Sequence, residues 1–402
     1  MSKGAFTASD LRGLSKLGFD AALGVTDLVE QMHHTIARTP PLFGEAIEGP
    51  ARGVAGLVYR GVRGTIRLTG EGADALLRMF EGRESAESSP GRDIALAALN
   101  GLIGDRLAAT DNPLALAMRL RSNGRALDLN RAALADSFPR ATGRVVVLVH
   151  GGLRMSDLHW RRKDHDHGAS LENDLEFTPV YLFYNSGLHV SENGRAFADL
   201  LEALIRAWPV PVEELVILGH SMGGLVARSA CFYGERAGCA WPRSLRKLVF
   251  LGTPHHGAAL ERIGAWVDDA IGAIPYTAAF NRLGRLRSAG VTDLRHGALV
   301  DEDWQGRDRF ARGNDTRMIV PLPTGVACYA VAATTAKTSG GVHDRTVGDG
   351  LVSVASALGD HKDPERSLAI PAARRRIVCG ADHFDLLSSP EVYEAIRGWL
   401  AA

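Results

Sequence analysis

The 402-residue sequence has no surplus of either charge, since 46 Lys and Arg stand against 46 Asp and Glu. Without a basic excess there is no electrostatic footprint for wrapping nucleic acid, and without an acidic one no field steering a strongly charged partner. Cysteine is scarce too. Cys231, Cys239, Cys328 and Cys379 lack C-x-x-C spacing, which argues against a zinc site or a thioredoxin-type redox pair and leaves one disulfide open. No run reaches the roughly 20 uncharged apolar residues of a membrane span. The N-terminal stretch is broken by Asp10, Arg12, Lys16 and Asp20, where a signal peptide needs an uninterrupted apolar core. These absences predict a cytoplasmic protein with reduced thiols. What is present is a sizeable core, 46% of the residues being hydrophobic, enough for one large domain with an appendage or for two domains.

Residues 1–140 read as a helical region. Apolar residues recur at helical spacing through Leu11, Leu14, Leu17, Leu28, Met32 and Ile36, up to a break at Thr39-Pro40-Pro41. A second helix is expected over Ala51–Leu68, with Arg60, Arg63 and Arg67 on one face and Val54, Leu57, Val58, Val62 and Ile66 on another. Such a basic amphipathic helix can lie on an anionic membrane surface, but the commoner explanation is a packed helix with a solvated arginine face. Residues 81–93 read as a linker. Helices are expected over Ile94–Ala109 and Pro113–Arg121, with Asp111 or Asn112 capping the second.

From residue 141 to 402 the character is α/β. Apolar, β-branched runs at 145–150, 179–184, 214–219, 247–252, 326–332 and 375–380 alternate with helical patterns at Glu192–Trp208, Gly224–Ala237 and Ser389–Ala401. That alternation predicts a mostly parallel central sheet. The excursion from 258 to 323 is too long for a connecting loop and is a candidate cap or lid.

Within this pattern "ELVILGHSMGGLVARSA", residues 214–230, places a strand, a sharp turn and a helix in succession. A lone G-x-S-x-G means little in a chain with 45 glycines, but here it sits where a serine is forced to the top of a sheet. Gly219, His220 and Gly223 form the elbow around Ser221, the glycines leaving room where strand and helix approach. A serine hydroxyl needs a base and the base an orienting carboxylate. His383, after the last strand, and Asp349, between Gly348 and Gly350, supply them in the order Ser, Asp, His. Two N–H groups are needed for the oxyanion. Met222 supplies one and the His-Gly-Gly loop the other, through Gly152, with Leu153 its nearest competitor.

These residues resemble the α/β-hydrolase lipases and esterases. The resemblance runs from about Arg144 to Ala402 through "LVHGG", "GHSMGGLVAR", "LGTPHHG", "DGLVSVASALG" and "DHFDLL". It is strongest toward bacterial triacylglycerol lipases, and it extends to inositol-deacylase-like lipases. It implies an α/β-hydrolase fold and a carboxylic-ester hydrolase that acts on lipid-like or other apolar acyl esters through an acyl-enzyme, with no organic cofactor. In those lipases an aspartate two residues after the catalytic histidine helps to hold a structural calcium. Asp385 matches it, whereas Ser389 stands about where a further ligand is expected. The usual disulfide cysteine is matched by Ala355. Acyl transfer from the same acyl-enzyme, and a membrane-surface or partner-binding role on a hydrolase-like body, are the alternatives. Oligomeric state is left open. Other signals carry less: Asp164-His165-Asp166-His167 suggests a metal but is expected to be a charged surface loop, His255 and His256 stand where they would line the pocket, and Tyr184-Asn185-Ser186-Gly187 flanks it or merely turns the chain.

Overall fold

The six apolar runs are strands; five are buried on both faces over most of their length, as a parallel sheet covered by helices requires, and the sixth, at the sheet's edge, buries only Val378 fully. In the computed structural model they are β3 (Arg144–Val149), β6 (Thr178–Phe183), β7 (Glu214–His220), β8 (Leu245–Leu251), β9 (Ala327–Thr334) and β10 (Arg375–Cys379). The residues described are 7–38, 60, 62–69, 71, 73–74, 90–153, 155–163, 165–258, 288–307 and 315–402. Val145 to Val149 and Leu215 to Leu218 are all fully buried, each such side chain worth about 1.5–3 kcal/mol of transfer free energy at most.

The sheet order is β10-β9-β8-β7-β3-β6-β1-β2, where β1 is Arg119–Ser122 and β2 Arg125–Ala126, and β4 (Arg161–Arg162) pairs apart from it with β5 (His165–Asp166). Strands β10 through β6 pair in parallel, while β1 runs antiparallel to both β6 and β2. After β3 the chain moves to β6 on one side, then returns past β3 to β7 on the other. The switch point therefore lies between the C-terminal ends of β3 and β7, where open α/β sheets bind their ligands.

Besides the short helices α3 (Arg131–Ser137), α8 (Val342–Thr346) and α9 (Val354–Leu358), longer helices flank the sheet. Helix α5 (Val190–Ala207) packs on α6 (Met222–Arg236), and α6 lies against β3, β7 and β8. On the opposite side Val146, Leu148, Val216, Leu218, Val249 and Val331 join one core with Val392, Ile396 and Leu400 of α10 (Pro390–Ala401) and Leu171 of α4 (His167–Leu175). All four cysteines are free thiols.

Two compact units divide the chain, one of residues 1–87 with 109–115, the other of 88–108 with 116–402. In the first, α1 (Ala8–Arg38) opens on a reciprocal cap: Thr7 Oγ1 accepts from the Asp10 N–H at 3.0 Å, and Asp10 Oδ2 accepts from the Thr7 N–H at 3.1 Å. A second helical stretch covers the described residues between 60 and 74, and its Arg63 pairs with Asp27 at 2.8 Å. Val54, Leu57 and Val58 lie outside the described residues. No described helix is long and apolar enough to cross a membrane.

Two expectations are corrected. Residues Pro90–Asp93 are not linker but the first turn of α2 (Pro90–Ala109). The helix expected over Pro113–Arg121 is absent: Asn112 folds its side chain onto the Leu114 N–H at 2.9 Å, closing a local turn, and Arg119–Ser122 is β1. Both α2 and β1 precede residue 140 yet belong to the unit that contains the sheet, so residues 1–140 do not form one helical region.

Candidate active site

Ser221 lies between the end of β7 and the first residue of α6, with φ 53° and ψ −125°. A non-glycine residue held there stores about 1–3 kcal/mol of backbone strain, a cost that recurs at functional sites. The flanking glycines are required. A Cβ on Gly219 would stand 2.7 Å from the Gly224 Cα, and one on Gly223 would fall on the Val149 carbonyl oxygen. The Ser221 N–H donates to the Leu251 carbonyl at 2.8 Å, anchoring the elbow to the neighbouring strand.

His383 and Asp349 lie in direct contact. His383 Nδ1 lies 2.7 Å from Asp349 Oδ2, both side chains buried. An ionised carboxylate only accepts, so Nδ1 carries the proton and Nε2 the lone pair, the tautomer a general base needs. Asp349 is itself fixed: Oδ1 accepts from the Leu351 and Val352 N–H groups at 2.9 and 2.8 Å, and its carbonyl accepts from the His383 N–H at 3.1 Å. The carboxylate therefore cannot rotate without breaking backbone bonds.

His383 is brought beside the elbow from two sides. His220 Nε2 donates to the His383 carbonyl at 3.0 Å, the two rings 4.7 Å apart. Burial, with His383 beside it, drives the His220 pKa far down and keeps the ring neutral. On the other side Gly252, at φ 57°, lets β8 end against the imidazole, since a Cβ there would stand 3.1 Å from His383 Cε1. Sequence reading missed Gly252, although "LGTPHHG" contained it.

Above the serine is a cavity of about 20 Å³, room for one water, lined by Gly152, Leu153, Pro254, Ala258, Leu294 and Val352 among others. Both oxyanion candidates of the β3 loop thus face the same space as Ser221. A Cβ built on Gly152 would lie 3.1 Å from Met222 Sδ, which places that loop beside the start of α6, where helical N–H groups have no intrahelical acceptor. Leu153 is held at φ 59°, and its carbonyl accepts from Ser186 Oγ at 3.3 Å. The Tyr184–Gly187 segment therefore braces this loop rather than only turning the chain, and Tyr184 Oη donates to the His150 carbonyl at 3.0 Å.

Of the 258–323 excursion, 259–287 and 308–314 lie outside the described residues, and with them Trp266, Tyr276, Phe280 and Phe310. Within the described part, α7 (Ala289–His296) carries Leu294 to the cavity. Trp304 stacks on His189 at 3.7 Å, and His189 Nδ1 pairs with Asp293 of α7 at 3.0 Å.

The remaining sequence signals resolve into structure. His165 Nε2 meets His167 Nδ1 at 2.7 Å, and His167 Nε2 meets the Leu386 carbonyl at 2.9 Å. Asp166 caps α4, and Asp164 lies outside the described residues. Asp385 does not offer calcium an open carboxylate: Oδ1 accepts from Lys163 Nζ at 2.8 Å and Oδ2 from the Asp382 N–H at 3.1 Å. The Lys163 ammonium holds the Asp385 pKa below its ordinary value. Ser389 Oγ caps α10 at the Val392 N–H, so this donor set does not fit a calcium cage of six to eight oxygens. His255 turns away from the serine's cavity onto Arg228, and His256 bonds the Gly359 carbonyl.

No curated protein matches the sequence. Solved structures with a similar chain path include the mature Bacillus licheniformis lipase BlEst2, at 17% identity and TM-score 0.41 over 64% of this chain and 91% of that one. Its propeptide form gives 17% identity and TM-score 0.42 over 63% and 50%. Aspergillus fumigatus lipase B gives 12% identity and TM-score 0.41 over 73% and 57%. The chain thus spans about half the length of the propeptide-form lipase. A family described as the PGAP1-like alpha/beta domain matches residues 140–323. With its parallel sheet, its serine elbow after β7 and the Asp and His after β9 and β10, the sheet-bearing unit has the α/β-hydrolase fold, and over residues 140–323 it is similar to the PGAP1-like alpha/beta domain.

Proposed function

We propose that the chain is a serine carboxylic-ester hydrolase of the lipase or esterase type. The observation that carries this reading is the buried His383–Asp349 pair at 2.7 Å, joined through His220 to a strained serine elbow. Ser221 Oγ attacks the ester carbonyl carbon while His383 Nε2 takes its proton. The tetrahedral oxyanion is held by the N–H of Met222 and that of Gly152 or Leu153. His383 then protonates the departing alcohol, leaving an acyl-serine, and a water activated by the same Nε2 releases the acid. Leu153, Leu294, Leu351, Val352 and Pro254 around the serine favour an apolar, lipid-like acyl group. Helix α1 and the helical stretch between 60 and 74 provide peripheral membrane contact.

A fluorophosphonate probe tests the nucleophile: the native chain is expected to label at Ser221 and the Ser221→Ala variant not at all. Absence of labelling in the native chain overturns the reading. Turnover of p-nitrophenyl esters of graded acyl length, with and without lipid vesicles, sets the acyl preference. Added alcohols, followed by product analysis, separate hydrolysis from acyl transfer.

A further inference from the structure

Arg228 lies in the second turn of α6, and only 4% of it is exposed. Its guanidinium donates to the Val320 carbonyl at 2.5 Å and to His255 Nδ1 at 3.3 Å, while Nε has no partner. Among the described residues no carboxylate forms an ion pair with it. Burial, with Arg317 nearby, pushes its pKa down to about 10. A buried cation is ordinarily matched by an anion, since its desolvation is otherwise uncompensated.

His255 adds a second donor. A guanidinium only donates, so His255 Nδ1 is the acceptor and the ring proton sits on Nε2. That N–H is buried and has no partner either. Both side chains line a cavity of about 150 Å³, together with Arg317, Arg366 and His256. Glu365 is the only carboxylate among the described lining residues. Arg317 and Arg366 approach the Asp315 carboxylate at 2.8 and 3.5 Å, whereas among the described residues Asp303 acts on Arg228 only through space, without an ion pair. The size of the cavity and the positive charge on its wall suit a tetrahedral oxyanion, whose acceptors match a guanidinium fork.

We propose that this cavity is an oxyanion-binding site that takes a phosphate group, separate from the cavity over the serine and coupled to it. The coupling runs through residues 252–258. Pro254 and Ala258 line the serine's cavity, Gly252 packs on His383, and His255 between them reaches Arg228. An ion bound by His255 and Arg228 braces that loop.

The test uses the full chain, with ionic strength held constant by chloride. Binding of radiolabelled inorganic phosphate is followed by equilibrium dialysis and thermal unfolding by a temperature scan. Saturable binding with a phosphate-dependent rise in Tm is expected for the native chain. The Arg228→Met variant is expected to unfold at the same or a higher temperature without phosphate, having lost a buried unmatched charge, and to show no rise with it. Arg228→Lys keeps charge and stem but loses the fork, and its affinity is expected to fall about tenfold. Competition by sn-glycerol 3-phosphate assigns the site to phosphate esters, and its absence to the free ion; either supports the proposal. No saturable binding to the native chain, or undiminished binding in both variants, overturns it.

Discussion

His220 donates its Nε2–H to the backbone carbonyl of His383 at 3.0 Å, so the residue before the candidate nucleophile holds the residue that carries the base. Two loops from strands on opposite sides of β8 are thereby locked together by one neutral imidazole. His220→Phe removes the donor and is expected to lower kcat by about 10–100-fold with little change in KM, because a small misplacement of the base is costly. His220→Gln, which keeps an N–H near the same place, is expected to recover part of the loss. Steady-state kinetics of both variants check this, and equal impairment of the two assigns His220 to packing alone.

Asp349→Asn probes the tautomer of His383. The amide presents either a carbonyl or an NH2 to Nδ1. Because Oδ1 is tied to the Leu351 and Val352 N–H groups, the carbonyl stays there and the NH2 faces the imidazole. The ring is then driven to carry its proton on Nε2, where it cannot accept one from serine. We expect kcat to fall by about 10⁴-fold with the Tm nearly unchanged, measured by burst kinetics and calorimetry.

The elbow's strain predicts a stability inversion. Ser221→Ala keeps a Cβ at φ 53°, whereas Ser221→Gly removes it. The glycine variant is expected to be more stable than the alanine variant by about 1 kcal/mol, although glycine ordinarily costs stability elsewhere. Chemical denaturation of the two inactive proteins side by side gives the answer; an alanine variant of equal or greater stability means the elbow is relaxed.

Buried histidines predict acid lability. Burial pushes His150 down to about 3 and His167 to about 4, and drives His220 and His255 well below their ordinary value. The unfolded chain takes up these protons near pH 6.5 and the folded chain does not, so stability is full above about pH 7 and is lost as the pH falls below 6.5. Each fully buried ring contributes up to about 1.4 kcal/mol per pH unit through that window. Urea midpoints at pH 7.5, 6.5, 5.5 and 4.5 are expected to fall modestly over the first interval and steeply after; a level profile down to pH 5 means that the rings reach water or gain partners.

The strands, the elbow and the meeting of Asp349 with His383 were legible because each is written locally. A doubly buried strand must be apolar throughout, and a tight strand-to-helix turn must have its glycines. What was not legible depends on partners distant in sequence. Arg121 reads as a solvated helix residue, yet it is 2% exposed on β1 and pairs with Asp93 at 2.7 Å and Asp157 at 3.1 Å. Nothing in "LALAMRLRS" announces those carboxylates, so the segment read as helix. Arg228 gave no sign either, since only the fold brings Val320 and His255 to it. Asp385 misled in the opposite direction, since its match to a calcium ligand was local while the lysine that occupies it stands at position 163.

The strand order carries one more consequence. Ser221 directly follows an inner strand, β7, while His383 follows β10, the edge strand and the last strand of the sheet in chain order. A chain that has assembled β3, β6, β7 and β8 already has its serine on the elbow but no imidazole to take the proton. Only when β10 docks on β9 does His383 reach the His220 donor. On the proposed mechanism a chain clipped before β10 is therefore a bystander to esters, and measured turnover counts only molecules whose sheet is complete.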